Sequence, residues 1–209
     1  MPVVNGREYR DLQMTFQAVD PEGEEDESLI VEGYATTFDE PYELYDGFYE
    51  VIDRHALEGA DMSDVIFQLN HSGSPLARQR NGSLAVMCDD HGLFVRANLN
   101  GCDTSKEVHR QIKSGLIDRM SWGFMIAEDG WEYDRETRTS TITKVSKVFD
   151  VSAVSIPAND QTEIHARSYF DGVIEAEDQE LAQREQETLR RKRRGKRLLL
   201  ETKGAEQWH

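Results

Sequence analysis

Residues 115–124, Gly-Leu-Ile-Asp-Arg-Met-Ser-Trp-Gly-Phe, decide how the rest of the chain is interpreted. The segment before them predicts a helix, and Gly115 is a typical residue for ending one. A strand is expected to begin near Arg119, with Ser121 just inside it. A lone serine in a strand is ordinarily one more alternating side chain. Ser121 therefore becomes a candidate nucleophile only if a base and an acid can reach it.

Two other strands bring such groups. Residues 65–69 are an apolar run typical of a buried strand, and His71 follows at its end, at the start of a Ser-Gly-Ser-Pro loop. Asp150 lies near the start of a second apolar strand, residues 148–156. A serine, a base and an orienting acid are the three parts of activated nucleophilic catalysis, and they are recognised by role rather than by chain order. These three residues are therefore the candidate catalytic set.

Short runs of alternating apolar and polar residues recur between residues 28 and 157, with the period of half-buried strands. One helix is strongly indicated at residues 104–114, by capping-box spacing at its start and an apolar stripe along it. This pattern predicts an α+β domain that is mainly β. We expect a closed or nearly closed antiparallel barrel with a few surrounding helices.

Composition narrows the class of protein. The length of 209 residues suits one domain with an appendage, and the net charge of −16 argues against general nucleic-acid binding. The two cysteines, Cys88 and Cys102, are too few for a disulfide framework. No apolar run reaches the length of a membrane span, so we expect a soluble, intracellular protein without a membrane partner.

The character of the chain changes near residue 168, which predicts a domain over residues 1–167 and a charged tail over residues 168–209. Residues 172–200 are nearly all helix formers, acidic first and then basic. A helical or disordered solvated tail is the plainer interpretation. The alternative is a docking element for an acidic partner surface, and the basic part is the one place where nucleic acid could bind.

Four stretches of the chain form one set. They are Glu32-Gly33-Tyr34-Ala35 with Phe38, Asn70-His71 with its Gly-Ser-Pro loop, Gly115-Leu116 through Met120-Ser121-Trp122-Gly123-Phe124, and Asp150-Val151-Ser152 through Pro157-Ala158-Asn159. Together they resemble the prohead proteases of tailed bacteriophages, which look like relatives of the assemblin proteases of herpesviruses. The similarity covers roughly residues 28–167 and includes the order histidine, serine, acid.

The resemblance implies a serine endopeptidase that cleaves capsid and scaffold proteins during prohead maturation and also cleaves itself. Ser121 resembles the family nucleophile and His71 the general base. Asp150 stands where the family more often has glutamate, whose side chain is longer. The resemblance also implies an assemblin-like barrel, and a site of action inside the assembling procapsid in the host cytoplasm. The major capsid protein and scaffold segments would be substrates, with self-association possible in that crowded particle.

Other chemistries have weaker support. The chain has no Gly-x-Ser-x-Gly elbow and no His-Glu-x-x-His helix, which argues against an α/β-hydrolase and a zinc protease. The tightest metal-like cluster, Asp89, Asp90 and His91, falls in a turn where solvated polar residues are expected. We therefore expect no metal and no cofactor.

Two alternatives stay open. Cys102 precedes the predicted helix, and a helix N-terminus lowers a thiol pKa, so a Cys102–His71 pair is a rival nucleophile. A non-catalytic scaffolding or assembly protein of the phage head is the alternative from another functional class. We also expect any self-cleavage to fall in the acidic loop, residues 21–28, or in the tail.

Overall fold

A computed structural model describes residues 6–12, 17–19, 28–45 and 47–155, together with residues 179, 182–184, 186–188, 190–191 and 194. The chain divides into two compact units, Met1–Ala166 and Arg167–His209. The described residues of the second unit are helical and exposed. Residues 21–27 and 156–178 lie outside the described part, so the domain boundary and the self-cleavage sites stay predictions.

The described part of the first unit contains thirteen strands and one α-helix. In chain order the elements are β1 (Glu8–Leu12), β2 (Gln17–Ala18), β3 (Ile30–Thr37), β4 (Tyr42–Tyr45), β5 (Phe48–Ile52), β6 (Ile66–Leu69), β7 (Ser72–Arg78), a 3-10 turn (Gln79–Asn81), β8 (Leu84–Cys88), β9 (Gly92–Asn98), α1 (Asp103–Lys113), β10 (Arg119–Ile126), β11 (Trp131–Asp134), β12 (Thr139–Ile142) and β13 (Val145–Val154).

The strands form three sheets, with the orders β1-β10-β13-β6-β7, β11-β12-β5-β4 and β2-β3-β9-β8. None of the three closes on itself within the described residues. The expected closed or nearly closed antiparallel barrel is therefore wrong, as is the expectation of several surrounding helices. Two strand pairs, β5 with β12 and β6 with β13, are also parallel. Alternation along a strand indicates that a strand exists, but not which strand pairs with it.

The end of α1 shows how the chain is delivered into β10. Gly115 has a positive φ of 73°, a conformation that glycine adopts without a Cβ clash. The N–H groups of Gly115 and Leu116 donate to the carbonyl oxygens of Ile112 and Gln111, the pattern of a Schellman motif. The helix therefore stops at a defined residue, and β10 begins four residues after Gly115.

Strand β10 is buried on both faces. Met120, Trp122 and Phe124 are fully buried in the hydrophobic core. Because side chains alternate along a strand, Ser121 and Gly123 face the opposite side. No helix among the described residues is long and apolar enough to cross a membrane.

Candidate active site

Strand β13 is the centre of the site, because it pairs with β10 on one side and with β6 on the other. In the antiparallel pairing, Ser152 lies opposite Ser121 and Asp150 lies opposite Gly123. In the parallel pairing, Asp150 lies opposite Ile66. Ser152 also lies opposite Gln68, near the end of β6, so that end of β6 lies level with Ser121 across β13.

His71 lies in the turn between β6 and β7. Asn70 and His71 are the two residues between the paired Leu69 and Ser72, and both have positive φ angles, 50° and 53°. Two central residues with positive φ are the requirement of a type I′ hairpin turn. Such a conformation is costly for a non-glycine residue and is typical of functional sites. The turn directs the imidazole back towards β13.

Asn70 attaches this turn to β13. Its backbone N–H donates to the Ala153 carbonyl at 3.0 Å. Its side-chain oxygen accepts from the N–H of Ser155 at 3.0 Å and from the hydroxyl of Ser155 at 3.2 Å. These bonds hold the unusual backbone conformation, and with it the position of His71.

The imidazole of His71 bridges the other two candidates. Its Nε2 lies 2.6 Å from Ser121 Oγ, and its Nδ1 lies 2.5 Å from Asp150 Oδ1. Ser121 and Asp150 are fully buried, while the His71 side chain is 9% exposed. The ring of Tyr9 packs on the imidazole, with centroids 4.3 Å apart. Because both nitrogens have partners, the orientation of the ring is fixed.

Three groups hold the Asp150 carboxylate. Oδ1 accepts from Nδ1 of His71 and from the Ser152 hydroxyl, the latter at 2.9 Å. Oδ2 is ion-paired with the Arg7 guanidinium. The Ser152 hydroxyl oxygen also accepts from the His71 backbone N–H at 3.3 Å. Ser152 therefore links the acid to the turn that carries the base.

The charge state of Asp150 follows from these contacts. Burial is the largest single influence on its pKa and raises it, because burial penalises the charged form. The hydrogen bond and charge of His71, followed by those of Arg7, act in the opposite direction. They outweigh burial, so the pKa of Asp150 lies below the ordinary value for aspartate. Asp150 is therefore an anion at neutral pH.

The Ser121 hydroxyl has a second neighbour. It lies 3.0 Å from the backbone carbonyl oxygen of Arg10, on β1, to which it donates a hydrogen bond. A hydroxyl has only one proton to donate. When that proton is directed at Arg10, the contact with His71 requires Nε2 to be the donor.

The chain is also similar to known proteins. A family model described as caudovirus prohead serine protease matches residues 14–173. The chain belongs to this family. The resemblance inferred from the four sequence stretches is thereby confirmed.

The chain is similar to one curated protein in sequence and to one solved structure in fold comparison. The prohead protease of Enterobacteria phage HK97 is 28% identical over 145 residues, which are 69% of this chain. The chain spans 62% of the length of that relative. The solved structure of the bacteriophage T4 capsid assembly protease is 13% identical, with a TM-score of 0.46 over 73% of this chain and 100% of that one.

All three residues predicted for the prohead protease site, Ser121, His71 and Asp150, lie together in the structure. Sequence reasoning missed two further residues that contact the acid. Ser152 could have been found, because strand alternation puts it on the same face as Asp150. Arg7 had no such signal, because the polar residues around it show no strand or helix period.

The rival nucleophile, Cys102, is exposed and precedes α1. Its sulfur lies 3.2 Å from the Ser105 hydroxyl, and the hydrogen bonds of Ser105 lower the pKa of the thiol. The nitrogens of His71 are both engaged by Ser121 and Asp150. The pairing of Cys102 with His71 therefore has no support in the geometry.

The metal-like turn has a structural account. The Asp89 carboxylate accepts from the Tyr34 hydroxyl at 2.6 Å and from the backbone N–H groups of His91 and Gly92. In the part of the chain that the structure describes, no group of three or more His, Cys, Asp or Glu side chains could hold a metal ion.

Proposed function

We propose that the chain is a serine endopeptidase of phage prohead maturation, with Ser121 as nucleophile, His71 as general base and Asp150 as orienting acid. One observation carries the proposal: His71 contacts the serine through one ring nitrogen and the carboxylate through the other, at 2.6 and 2.5 Å. Membership of the prohead serine protease family supports it.

The roles follow from the proton positions. Anionic Asp150 stabilises the tautomer with the proton on Nδ1, so the Nε2 lone pair can accept the Ser121 proton once that proton is no longer directed at the Arg10 carbonyl. Nε2 takes the hydroxyl proton as Oγ bonds to the substrate carbonyl carbon, and then gives that proton to the departing amine. Water, deprotonated by the same nitrogen, hydrolyses the acyl-enzyme. General-base help of this kind contributes about 10²–10⁴-fold to the rate.

Aspartate can serve where the family more often has glutamate. Its side chain is one methylene shorter, yet Oδ1 lies within hydrogen-bond distance of Nδ1. The pairing of β6 with β13 compensates for the lost length, because it brings the turn of His71 close to the strand of Asp150. Backbone amides near Ser121 are the proposed oxyanion donors.

We propose capsid and scaffold proteins as the substrates, self-cleavage after maturation, and a site of action inside the assembling procapsid in the host cell. Family membership supports these assignments. The charged tail is proposed to direct the enzyme into the head, and this rests on its order of acidic and basic residues.

The test is co-expression with the cognate major capsid protein, followed by intact mass measurement. The wild type is expected to shorten the capsid protein. Ser121→Ala and His71→Ala, shown to be folded by circular dichroism, are expected to leave it whole. If all three proteins cut it, or none does, Ser121 is not the nucleophile.

One observation favours the second candidate, a non-catalytic assembly protein. Ser121 is fully buried, so no substrate reaches it while the described arrangement persists. Labelling with a fluorophosphonate separates the two functions, because the reagent reacts only with an activated, accessible serine. Covalent labelling of the wild type, absent in Ser121→Ala, would exclude the non-catalytic protein.

A further inference from the structure

Strand β1 covers the nucleophile. It pairs antiparallel with the free edge of β10, and places Asp11 opposite Ser121 and Arg10 opposite Trp122. Strand β1 also lies before the range matched by the family model, residues 14–173. The edge of β10 beside Ser121 is therefore occupied by a segment from outside the matched family region.

Strand β1 has the position expected of a bound peptide substrate. An extended peptide binds a sheet edge by adding a strand, with main-chain hydrogen bonds for affinity and side-chain pockets for specificity. The carbonyl oxygen of Arg10 lies 3.0 Å from Ser121 Oγ. In a substrate bound in this way, the residue in the place of Arg10 would precede the cleaved bond.

The side chain of Arg10 fills a charged pocket in the body of the domain. Its Nε lies 2.6 Å from Glu50 Oε1 and its Nη2 lies 3.0 Å from Glu50 Oε2, a bidentate pair. Glu50 is 1% exposed and also accepts from the Tyr42 hydroxyl. The guanidinium lies 5.7 Å from the centre of the Phe124 ring. The Glu50 carboxylate, the Tyr42 phenol and the Phe124 ring together form a pocket whose charge and depth suit a long basic side chain.

The components of this pocket have different origins. Glu50 lies on β5 and Tyr42 on β4, whereas Arg10 and its second partner Glu8, 2.8 Å away, both belong to β1. If β1 leaves, Glu50 loses the cation that neutralises it while it is buried. A buried carboxylate without its partner is strongly destabilised. Any strand that replaces β1 is therefore favoured if it brings a cation to the same place.

We infer that substrates displace β1 from the edge of β10, and that Glu50 selects arginine or lysine as the residue before the cleaved bond. The inference rests on the proposed protease function. Arginine is expected to be preferred over lysine, because its planar guanidinium matches the bidentate contact. While β1 is in place, the Arg10 carbonyl accepts a hydrogen bond from the Ser121 hydroxyl, so the hydroxyl proton is not directed at His71.

The pocket is tested with a peptide library that retains internal arginine and lysine, such as a proteome digested after glutamate. Cleavage sites are read by mass spectrometry for full-length wild type, Glu50→Gln, Ser121→Ala and Glu107→Gln. The last variant removes a carboxylate from an exposed Glu–Arg pair on α1 and is the matched control.

Wild type and Glu107→Gln are expected to cut after arginine and lysine. In Glu50→Gln, kcat/KM for basic relative to neutral residues is expected to fall by about 10–100-fold, because the charged partner is lost. Cleavage without basic enrichment, or an unchanged preference in Glu50→Gln, would overturn the inference and leave the protease function intact. Absence of both cleavage and fluorophosphonate labelling in every protein would overturn both.

The displacement of β1 has its own measurement. Arg10→Met is expected to raise the rate of fluorophosphonate labelling at Ser121, while Arg96→Met, which breaks an exposed ion pair with Glu32, leaves it unchanged. The library is run on Arg10→Met as well, where the site is open. An unchanged labelling rate in folded Arg10→Met means that β1 does not block the site.

Should Arg10→Met unfold, a synthetic peptide of residues 6–12 provides the same information with the wild type. It is expected to inhibit labelling and cleavage more strongly than the same peptide carrying Arg10→Met, by about tenfold or more. Equal inhibition by the two peptides would contradict the role of Glu50.

Discussion

Gly123 and Asp150 lie opposite each other on β10 and β13, and a Cβ placed on Gly123 would be 2.3 Å from Asp150 Oδ2. Atoms do not approach so closely, so any other residue at this position would displace the carboxylate. The same Cβ would lie 3.0 Å from Nε of Arg7, whose Nη2 is ion-paired with that oxygen. A residue without a side chain is therefore part of the proposed catalytic site.

We expect Gly123→Ala to lower kcat/KM by about 10²–10⁴-fold, because misplacing the acid removes the orientation of His71. The measurement is the rate at which capsid protein, or a peptide that the wild type cuts, is cleaved. Gly101→Ala is the control, because a Cβ there would be 3.9 Å from its nearest neighbour, the Leu76 carbonyl. Full activity in a folded Gly123→Ala protein would show that Asp150 does not orient the base.

Ser152 is expected to act through Asp150 and His71. Ser152→Ala removes one hydrogen bond to each, and should lower kcat by about 5–30-fold, a cost of about 1–2 kcal/mol. Ser152→Thr keeps the hydroxyl and should recover part of the loss. Ser146→Ala, on the same strand but bonded to the Met125 carbonyl, is expected to have no effect. If the alanine variant at position 152 matches wild type, the bond to Asp150 has no catalytic role.

The turn that carries His71 is expected to be sensitive to β-branched residues. At Asn70, φ is positive, and a valine there should lower the free energy of unfolding by about 1–2 kcal/mol more than a glycine does. Both substitutions lose the bonds to Ser155, so their difference reports the backbone alone. Urea denaturation measures it. Equal stabilities would indicate that the turn relaxes out of the left-handed region.

The lowered pKa of Asp150 predicts a stability difference that depends on pH. A carboxylate whose pKa is lower in the folded state contributes stability above the unfolded pKa, about 3.9, and this contribution is lost as pH falls through the folded pKa. The difference in the free energy of unfolding between wild type and Asp150→Asn should therefore be largest above about pH 4 and should shrink in acid. Denaturation at several pH values tests this, with exposed Asp118→Asn as the control for lost charge. A constant difference would contradict it.

The candidate residues could be predicted because each is attached to a recognisable local pattern. Ser121 follows a helix stop, His71 follows an apolar strand, and Asp150 lies near the start of another. The sheet arrangement could not be predicted in this way. Parallel pairing of β6 with β13 depends on contacts between segments that are distant in the sequence. The alternation of single strands led instead to the expectation of an antiparallel barrel, which the three open sheets contradict.

Strand β1 escaped detection for a different physical reason. Hydrophobic alternation reveals a strand only when its buried side chains are apolar. In β1 the buried positions are Glu8 and Arg10, and Arg10 is ion-paired with both Glu8 and Glu50. A strand whose interior face is an ion-pair network looks like a solvated loop in the sequence.

The pairing of β6 with β13 has a consequence during synthesis of the protein. Asp150 is 79 positions after His71. Its strand, β13, is the last of the described strands to be made, and it lies between β10, which carries Ser121, and β6, which leads to His71. At about 5–20 residues per second, several seconds separate the two residues on the ribosome. We therefore expect a nascent chain of the proposed protease to contain the serine and the histidine before it can join them, and to cleave no protein of its host until β13 has been made.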